Sequence, residues 1–182
     1  MECISTDSYR LAKKIVELDS AVENLINIVI PGKNIGELAK ILNDNDENVE
    51  IHIFSNKILF KFDNILFQSR LLNGTFPDTS RLIPDTFELE IKTDLDELYS
   101  VIDRAALLTS EKEKNVIKFE TNENEAIVSS NTPEIGRVEE RLAITKNNDK
   151  EIKIAFSSKF MMEALKTINS KDIRILLNSD IK

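Results

Sequence analysis

The chain has 182 residues, 41% of them hydrophobic and 31% charged, with one cysteine, one histidine and a formal net charge of −8. One cysteine and one histidine exclude an internal disulfide and a metal cluster of histidine and cysteine ligands, and the acidic balance disfavours a uniformly basic nucleic-acid binder. No stretch approaches the roughly 18 apolar residues of a membrane span, and the start lacks a secretory leader pattern, so we expect a cytoplasmic protein with no membrane partner.

The first part of the chain predicts a strand, a helix and then three strands, because the hydrophobic period changes from two to 3.6 and back. Residues 26–32 favour a strand that ends at Pro31, and residues 34–42 favour a helix with Asn34 as its N-cap. The predicted inner face of this helix consists of Ile35, Leu38, Ala39 and Leu42. The three strands that follow are expected at 49–55, 57–62 and 65–72.

The same order of elements returns twice along the rest of the chain. The second round comprises a strand at 87–92, a helix at 94–109 capped by Thr93 or Asp94, and strands at 115–121, 125–130 and 137–144. The third comprises a strand at 151–156, a helix at 158–168 and a strand at 172–177. This repetition predicts an α+β fold of repeated strand-helix-three-strand units, with helices on one face of antiparallel sheets. The third round stops early and residues 3–18 favour a closing strand, so we expect a piece of a longer protein.

No pattern in the sequence supports catalysis. The acidic run 88–97 is the best carboxylate cluster, but negative charge at a helix start explains it as well. The four glycines form no phosphate-binding loop. We therefore expect no catalytic residue, no metal and no cofactor. An enzyme that acts through Asp94 or Asp96 and an unrelated, repeat-built peptide-binding scaffold are the alternatives.

Two helices carry features on their outer faces. Lys33 and Lys40 stand seven residues apart, close to two helical turns, so they point the same way. They predict either a locally basic surface or an ordinary solvated face. Leu107 and Leu108 extend the apolar pattern at the end of helix 94–109, which fits either the end of a core or a subunit contact.

The segment RLLNGTFPDTSRLIP, residues 70–84, keeps apolar and arginine side chains within a loop bounded by Pro77 and Pro84. It resembles the signature of the β subunit of bacterial DNA polymerase III, the sliding clamp family. Three further stretches resemble family segments in the right order. They are STDSYRLA at 5–12, RAALLTSEK at 104–112 and FSSKFMMEAL at 156–165.

The resemblance implies DNA clamp domains of the processivity fold. Residues 1–84 would be a middle clamp domain truncated at its N-terminus, and residues 85–182 a C-terminal clamp domain without its last strands. The full-length protein would be a processivity factor that closes head to tail as a homodimer around double-stranded DNA. Its partners would be the DNA polymerase III α subunit, the clamp loader and repair proteins, which bind through short hydrophobic motifs.

The resemblance also implies three sets of site residues. The partner-peptide pocket would comprise Thr6, Arg10, Leu11, Pro77, Arg81 and Leu82, bordered by Ser157 and Phe160. Lys33, Lys40 and Arg104 would face DNA, and Leu107 and Leu108 would form the dimer interface. Ser8 and Tyr9 stand where many members have glycine and histidine, so no role is carried over to them.

Overall fold

The computed structural model describes residues 1–19, 22, 24–42, 48–109, 115–133 and 136–178. The chain divides into two compact units, Met1–Leu82 and Ile83–Lys182. The boundary between clamp domains at residues 84 and 85 remains a prediction from the sequence.

The first unit contains two sheets and one helix. Its elements are β1 (Glu2–Thr6), β2 (Leu11–Ile15), α1 (Gly32–Ile41), β3 (Glu50–Ile53), β4 (Lys57–Phe62) and β5 (Ile65–Arg70). β1 and β2 form an antiparallel hairpin, and β3, β4 and β5 form an antiparallel sheet in that order. Because side chains alternate along β4, Ile58, Phe60 and Phe62 share one face, and Leu38 of α1 packs against it.

Three predictions for this unit were wrong. Residues 26–32 form no strand: among the described residues Val29 accepts one backbone hydrogen bond, from the Leu72 N–H at 2.8 Å, which does not make a ladder. The helix begins two residues earlier than expected, after Pro31, whose fixed φ suits a helix start. Asn34 therefore lies inside the first turn and caps nothing, and its Nδ2 donates to Ser69 Oγ at 2.7 Å.

The predicted apolar face of α1 and the predicted first strand also need correction. Leu38 is buried and Leu42 half-buried, but Ile35 and Ala39 are exposed, so the buried stripe is narrower than expected. The N-terminal segment forms the hairpin β1–β2 instead of one closing strand, because a four-residue turn separates its halves.

The second unit contains two antiparallel sheets and two helices. Its elements are β6 (Leu89–Asp94), α2 (Leu95–Ala106), β7 (Val116–Thr121), β8 (Glu125–Thr132), β9 (Gly136–Ala143), β10 (Thr145–Lys146), β11 (Lys153–Ser157), α3 (Ser158–Leu165) and β12 (Asp172–Leu177). One sheet has the order β10-β6-β12 and the other β11-β7-β8-β9. α2 packs on β6 to β9 and beside α3. The α+β class with helices on antiparallel sheets is thus confirmed.

Helix α2 is fixed at both of its ends. Asp94 is the N-cap, and its carboxylate accepts hydrogen bonds from the N–H groups of Asp96 and Glu97 at 2.9 and 3.0 Å. At the other end, Ser130 Oγ of β8 donates to the Ala105 carbonyl at 2.7 Å, and Thr132 Oγ1 donates to the Leu108 carbonyl. The Ala105 carbonyl is one of those that an α-helix leaves without a partner, and Leu108 follows the C-cap residue Leu107, so the two hydroxyls hold the last turn and the residue after it.

Candidate functional site

The turn of the β1–β2 hairpin brings three predicted pocket residues together. Thr6 and Leu11 are the last paired residues, and Thr6 Oγ1 donates to the Arg10 carbonyl at 2.8 Å. Asp7 Oδ2 accepts from Arg10 Nε at 3.0 Å. Burial is the largest single effect on the pKa of Asp7 and raises it. The ion pair with Arg10 and the hydrogen bonds from the N–H groups of Tyr9 and Arg10 together outweigh burial, so the pKa is lowered. The turn therefore holds the exposed Arg10 by a carboxylate that stays ionised.

The loop that follows β5 presents the other predicted residues of the first unit through two local turns. Asp78 Oδ1 accepts from the Ser80 N–H at 2.9 Å, an Asx turn that keeps the pKa of Asp78 low through the Ser80 side-chain and backbone hydrogen bonds. The Leu82 N–H donates to the Thr79 carbonyl at 3.1 Å. Pro77 limits φ just before these turns. Leu82 is left 63% exposed on a loop with a fixed local shape.

Ser157 and Phe160 belong to the second unit. Ser157 ends β11 and occupies the N-cap position of α3, where its side chain makes no capping hydrogen bond. Phe160 lies in the first turn of α3 and is half-buried. Both are therefore partly accessible within their own unit, and their place in a peptide pocket stays a prediction.

The predicted DNA-facing residues differ in whether an acidic side chain forms an ion pair with them. Lys33 and Lys40 are both exposed on α1, as their spacing indicates. Lys40 Nζ lies 2.8 Å from Glu37 Oε1, whereas Lys33 forms no ion pair with any residue that the structure describes. Arg104 Nη2 lies 2.8 Å from Glu140 Oε2. That hydrogen bond raises the pKa of Arg104 and lowers the pKa of Glu140.

The two leucines at the end of α2 have different environments. Leu107 is the C-cap residue and is 76% exposed, so it contributes little to the core of its unit. Leu108 is half-buried, and its carbonyl accepts the Thr132 hydroxyl. The end of α2 thus displays one apolar side chain on a helix terminus that β8 holds in place.

The acidic run 88–97 does not form a metal-binding cluster in the part of the chain that the structure describes. Asp94 caps α2, and the structure groups no three potential ligands at metal-binding distance among the described residues. No helix within these residues is long and apolar enough to cross a membrane. Asp94, Asp96 and Glu97 lie at the start of α2, whereas Glu88 pairs with Lys150 and Glu90 lies 3.7 Å from both Lys92 and Arg174.

Family models cover nearly all of the chain. The central domain of the DNA polymerase III beta subunit matches residues 1–78, and the C-terminal domain of the same subunit matches residues 80–182. The beta sliding clamp of Staphylococcus aureus is 44% identical over 173 residues, which are 95% of this chain and 46% of that protein.

The chain belongs to the DNA polymerase III beta subunit family.

Solved structures of this family have the same fold. The sliding clamp of Bacillus subtilis matches with a TM-score of 0.94 and 42% identity, over 100% of this chain and 48% of that one. A sliding clamp of Bartonella birtlesii bound to griselimycin matches with a TM-score of 0.89 and 27% identity, over 98% of this chain and 48% of that one. This chain spans about half the length of the relatives it matches. The family resemblance is confirmed, and an unrelated scaffold is not favoured.

Sequence reasoning missed the acidic partners of this family member's predicted site residues. Asp7 holds Arg10, and Glu140 pairs with Arg104 across 36 positions of the sequence. A signal existed for Asp7, because an aspartate three residues before an arginine in a short turn can accept its N–H. None existed for Glu140, since only the packing of α2 beside β9 brings it to Arg104.

Proposed function

We propose that this chain is part of a sliding clamp, a cytoplasmic processivity factor that tethers a replicative DNA polymerase and repair proteins to DNA and is not itself an enzyme. The observation that carries the proposal is the match to beta sliding clamps over 95% of the chain. The full-length protein acts as a head-to-tail homodimer around double-stranded DNA.

The exposed loop after β5 is the centre of the proposed peptide-binding surface. Leu82 offers an apolar side chain, and Arg81 offers a long stem beside it with a charged head for polar acceptors. The turns at Asp78 and Thr79 already fix the loop, which lowers the ordering cost of binding. A short hydrophobic motif from the DNA polymerase III α subunit, the clamp loader or a repair protein fits these properties.

A fluorescence-anisotropy titration tests this surface. The probe is a labelled peptide of the Gln-x-x-Leu-Phe type, and the variant is Leu82→Asp. We expect a loss of affinity of roughly 30-fold, because a buried interface anchor is worth about 2 kcal/mol or more. Leu66→Asp is the matched control, since Leu66 on β5 in the same unit is 66% exposed and Leu82 is 63% exposed.

Equal losses in both leucine variants, or no loss in either, would place the peptide elsewhere. Griselimycin, which is bound to the Bartonella birtlesii clamp, serves as a competitor in the same titration. The remaining predicted pocket residues are tested one at a time by alanine substitution. They are Thr6, Arg10, Leu11, Pro77, Arg81, Ser157 and Phe160.

Lys33 is the strongest of the proposed DNA-facing residues, because Lys40 and Arg104 are partly neutralised by Glu37 and Glu140. Contacts with phosphates make the affinity for DNA fall as the salt concentration rises. The slope of log affinity against log salt concentration decreases in magnitude by roughly one for each contact removed. We expect Lys33→Gln to reduce the slope most. Lys14→Gln is the control, since Lys14 is an exposed lysine on β2 of the same unit that, like Lys33, forms no ion pair with any described residue. An equal change in slope for both lysines would contradict the assignment.

We propose Leu107 and Leu108 as the dimer contact of the full-length protein. Leu107→Asp replaces an exposed apolar side chain with a charged one. It should shift the full-length homodimer toward monomer in sedimentation velocity, while the unit that contains it stays folded. Leu66→Asp again serves as the control. Retention of the dimer in the Leu107→Asp variant would exclude this contact.

A further inference from the structure

Asn73 and Gly74 form the one Asn-Gly pair in the sequence, and they lie at the start of the proposed peptide-binding loop. Both residues are exposed, and Gly74 has a φ of +116°. A Cβ built on Gly74 would meet no atom within 4 Å. Among the residues that the structure describes, neither the Asn73 amide nor the Gly74 N–H has a hydrogen-bond partner.

These features leave the pair open to an intramolecular reaction. The Gly74 backbone nitrogen, after losing its proton to solvent, attacks Cγ of Asn73. The new N–Cγ bond forms as the Cγ–Nδ2 bond breaks, the departing Nδ2 takes up a proton from solvent and leaves as ammonia, and a five-membered succinimide results. Water then opens the ring at either carbonyl, giving aspartate or isoaspartate. Glycine favours the attack because it has no side chain to block the nitrogen and adopts many backbone conformations.

We propose that Asn73 is a site of spontaneous deamidation, and that the isoaspartate form weakens peptide binding by the adjoining loop. The second half of this proposal rests on the proposed function. Isoaspartate routes the main chain through Cβ and so lengthens the backbone by one atom. The lengthened segment lies between the Leu72 N–H, which is anchored on the Val29 carbonyl, and Pro77. The turns that present Leu82 are therefore displaced.

Two other asparagines provide an internal comparison. Asn147 Oδ1 accepts from the Glu90 N–H at 2.9 Å, and Asn148 Nδ2 donates to the Glu88 carbonyl at 2.8 Å. These hydrogen bonds restrict the rotation of the side-chain amides that ring closure requires. We expect both to react more slowly than Asn73.

The experiment ages the purified protein in mildly alkaline buffer and digests it with trypsin. Cleavage after Arg70 and Arg81 isolates Asn73 in residues 71–81, and cleavage after Lys146 and Lys150 isolates the comparison pair in residues 147–150. We expect a gain of about 1 Da, together with isoaspartate methyltransferase labelling, in residues 71–81 well before residues 147–150. Equal rates in the two peptides, or no gain in either, would overturn the assignment.

Peptide binding is measured on fresh and aged protein in parallel. We expect aged protein to bind roughly tenfold more weakly, since the turns that present Leu82 are displaced from their binding position. Asn73→Gln, whose longer side chain closes a ring less readily, should age without loss. Asn73→Asp carries the charge without the extra backbone atom and should bind like fresh protein, so an equal loss there would overturn the backbone explanation.

The arms of the experiment separate two failures. If fresh protein does not bind the peptide, the proposed function fails and the mass measurement still decides whether Asn73 deamidates. If fresh protein binds and deamidated protein binds equally well, the effect on the loop is overturned while the modification stands.

Discussion

The two units have similar hydrophobic patterns in sequence, but their helices bury different numbers of side chains. α1 buries one side chain, Leu38, and has no side-chain cap at Pro31. α2 buries four residues and has a carboxylate cap, Asp94. Among the described residues, the core cluster of the first unit has four buried members and that of the second has fourteen. Similar sequence patterns thus give cores of unequal size, because the number of packed neighbours differs.

The strands show the same contrast. Ile51 and Ile53 alternate on β3 as a buried strand would, but they are 38% and 40% exposed, whereas Leu89 and Ile91 on β6 are fully buried. Alternation identifies which face of a strand is apolar and does not reveal whether another element covers that face.

The largest expected effect comes from truncating the leucine at the centre of each core. Leu98→Ala should lower the free energy of unfolding of the second unit by about 3.5 kcal/mol, because its dense surroundings cannot collapse into the cavity. Leu38→Ala should cost the first unit only about 2 kcal/mol, since its smaller cluster relaxes more easily. Denaturant titration with hydrogen exchange in each unit measures both. Equal losses would show that the two cores are equally rigid.

Removing a buried hydroxyl at the end of α2 has the next largest effect. Ser130→Ala leaves the buried Ala105 carbonyl without its partner and should cost about 1.5 kcal/mol. Thr167→Val removes an exposed hydroxyl that donates to the Ala164 carbonyl at 2.8 Å, so it should cost much less. Thermal unfolding compares them, and a Thr167→Val loss as large as that of Ser130→Ala would refute the role of burial.

The N-cap of α2 is worth somewhat less. Asp94→Ala should destabilise the second unit by about 1 kcal/mol, because the N–H groups of Asp96 and Glu97 lose their acceptor. Asp96→Ala removes only a negative charge from the first turn of α2. It should lower the free energy of unfolding by roughly a few tenths of a kcal/mol. If both variants unfold at the same denaturant concentration, the cap does not distinguish α2 from α1.

The smallest effect is on the pH dependence of the Arg104–Glu140 pair. The hydrogen bond from Arg104 lowers the pKa of Glu140 in the folded state, so its stabilisation is present above the unfolded pKa. It is lost as pH falls through the lower, folded pKa. NMR titration of the Glu140 carboxyl should show a higher pKa in Arg104→Gln and no change in Arg137→Gln, since Arg137 pairs with Glu139. An unchanged pKa in Arg104→Gln would contradict the pairing.

Much of the fold could be predicted from the sequence because its signals are local. β4 and β12 have the predicted bounds, and Asp94 is one of the two predicted caps. The failures involve neighbours distant in the chain. The local sequence predicted Asn34 as a helix cap. Its actual partner, Ser69, lies 35 residues away in the chain, so no local pattern could indicate it.

The candidate site divides in the same way. The motif around Pro77 could be recognised because the loop's residues are contiguous, and the structure shows how they are held. The charge state of Arg104 could not be predicted, since Glu140 reaches it only through packing of α2 beside β9. The roles of the pocket, DNA-facing and interface residues remain predictions.

The turns at Asp78 and Thr79 have an evolutionary consequence. Their hydrogen bonds join residues two and three positions apart, and neither bond involves a distant strand. The conformation of residues 77–82 is thus largely inherited with the peptide segment itself, so surrounding sheets can diverge in sequence without redesigning it. A loop shape that depends on so few adjacent codons is inherited as one piece.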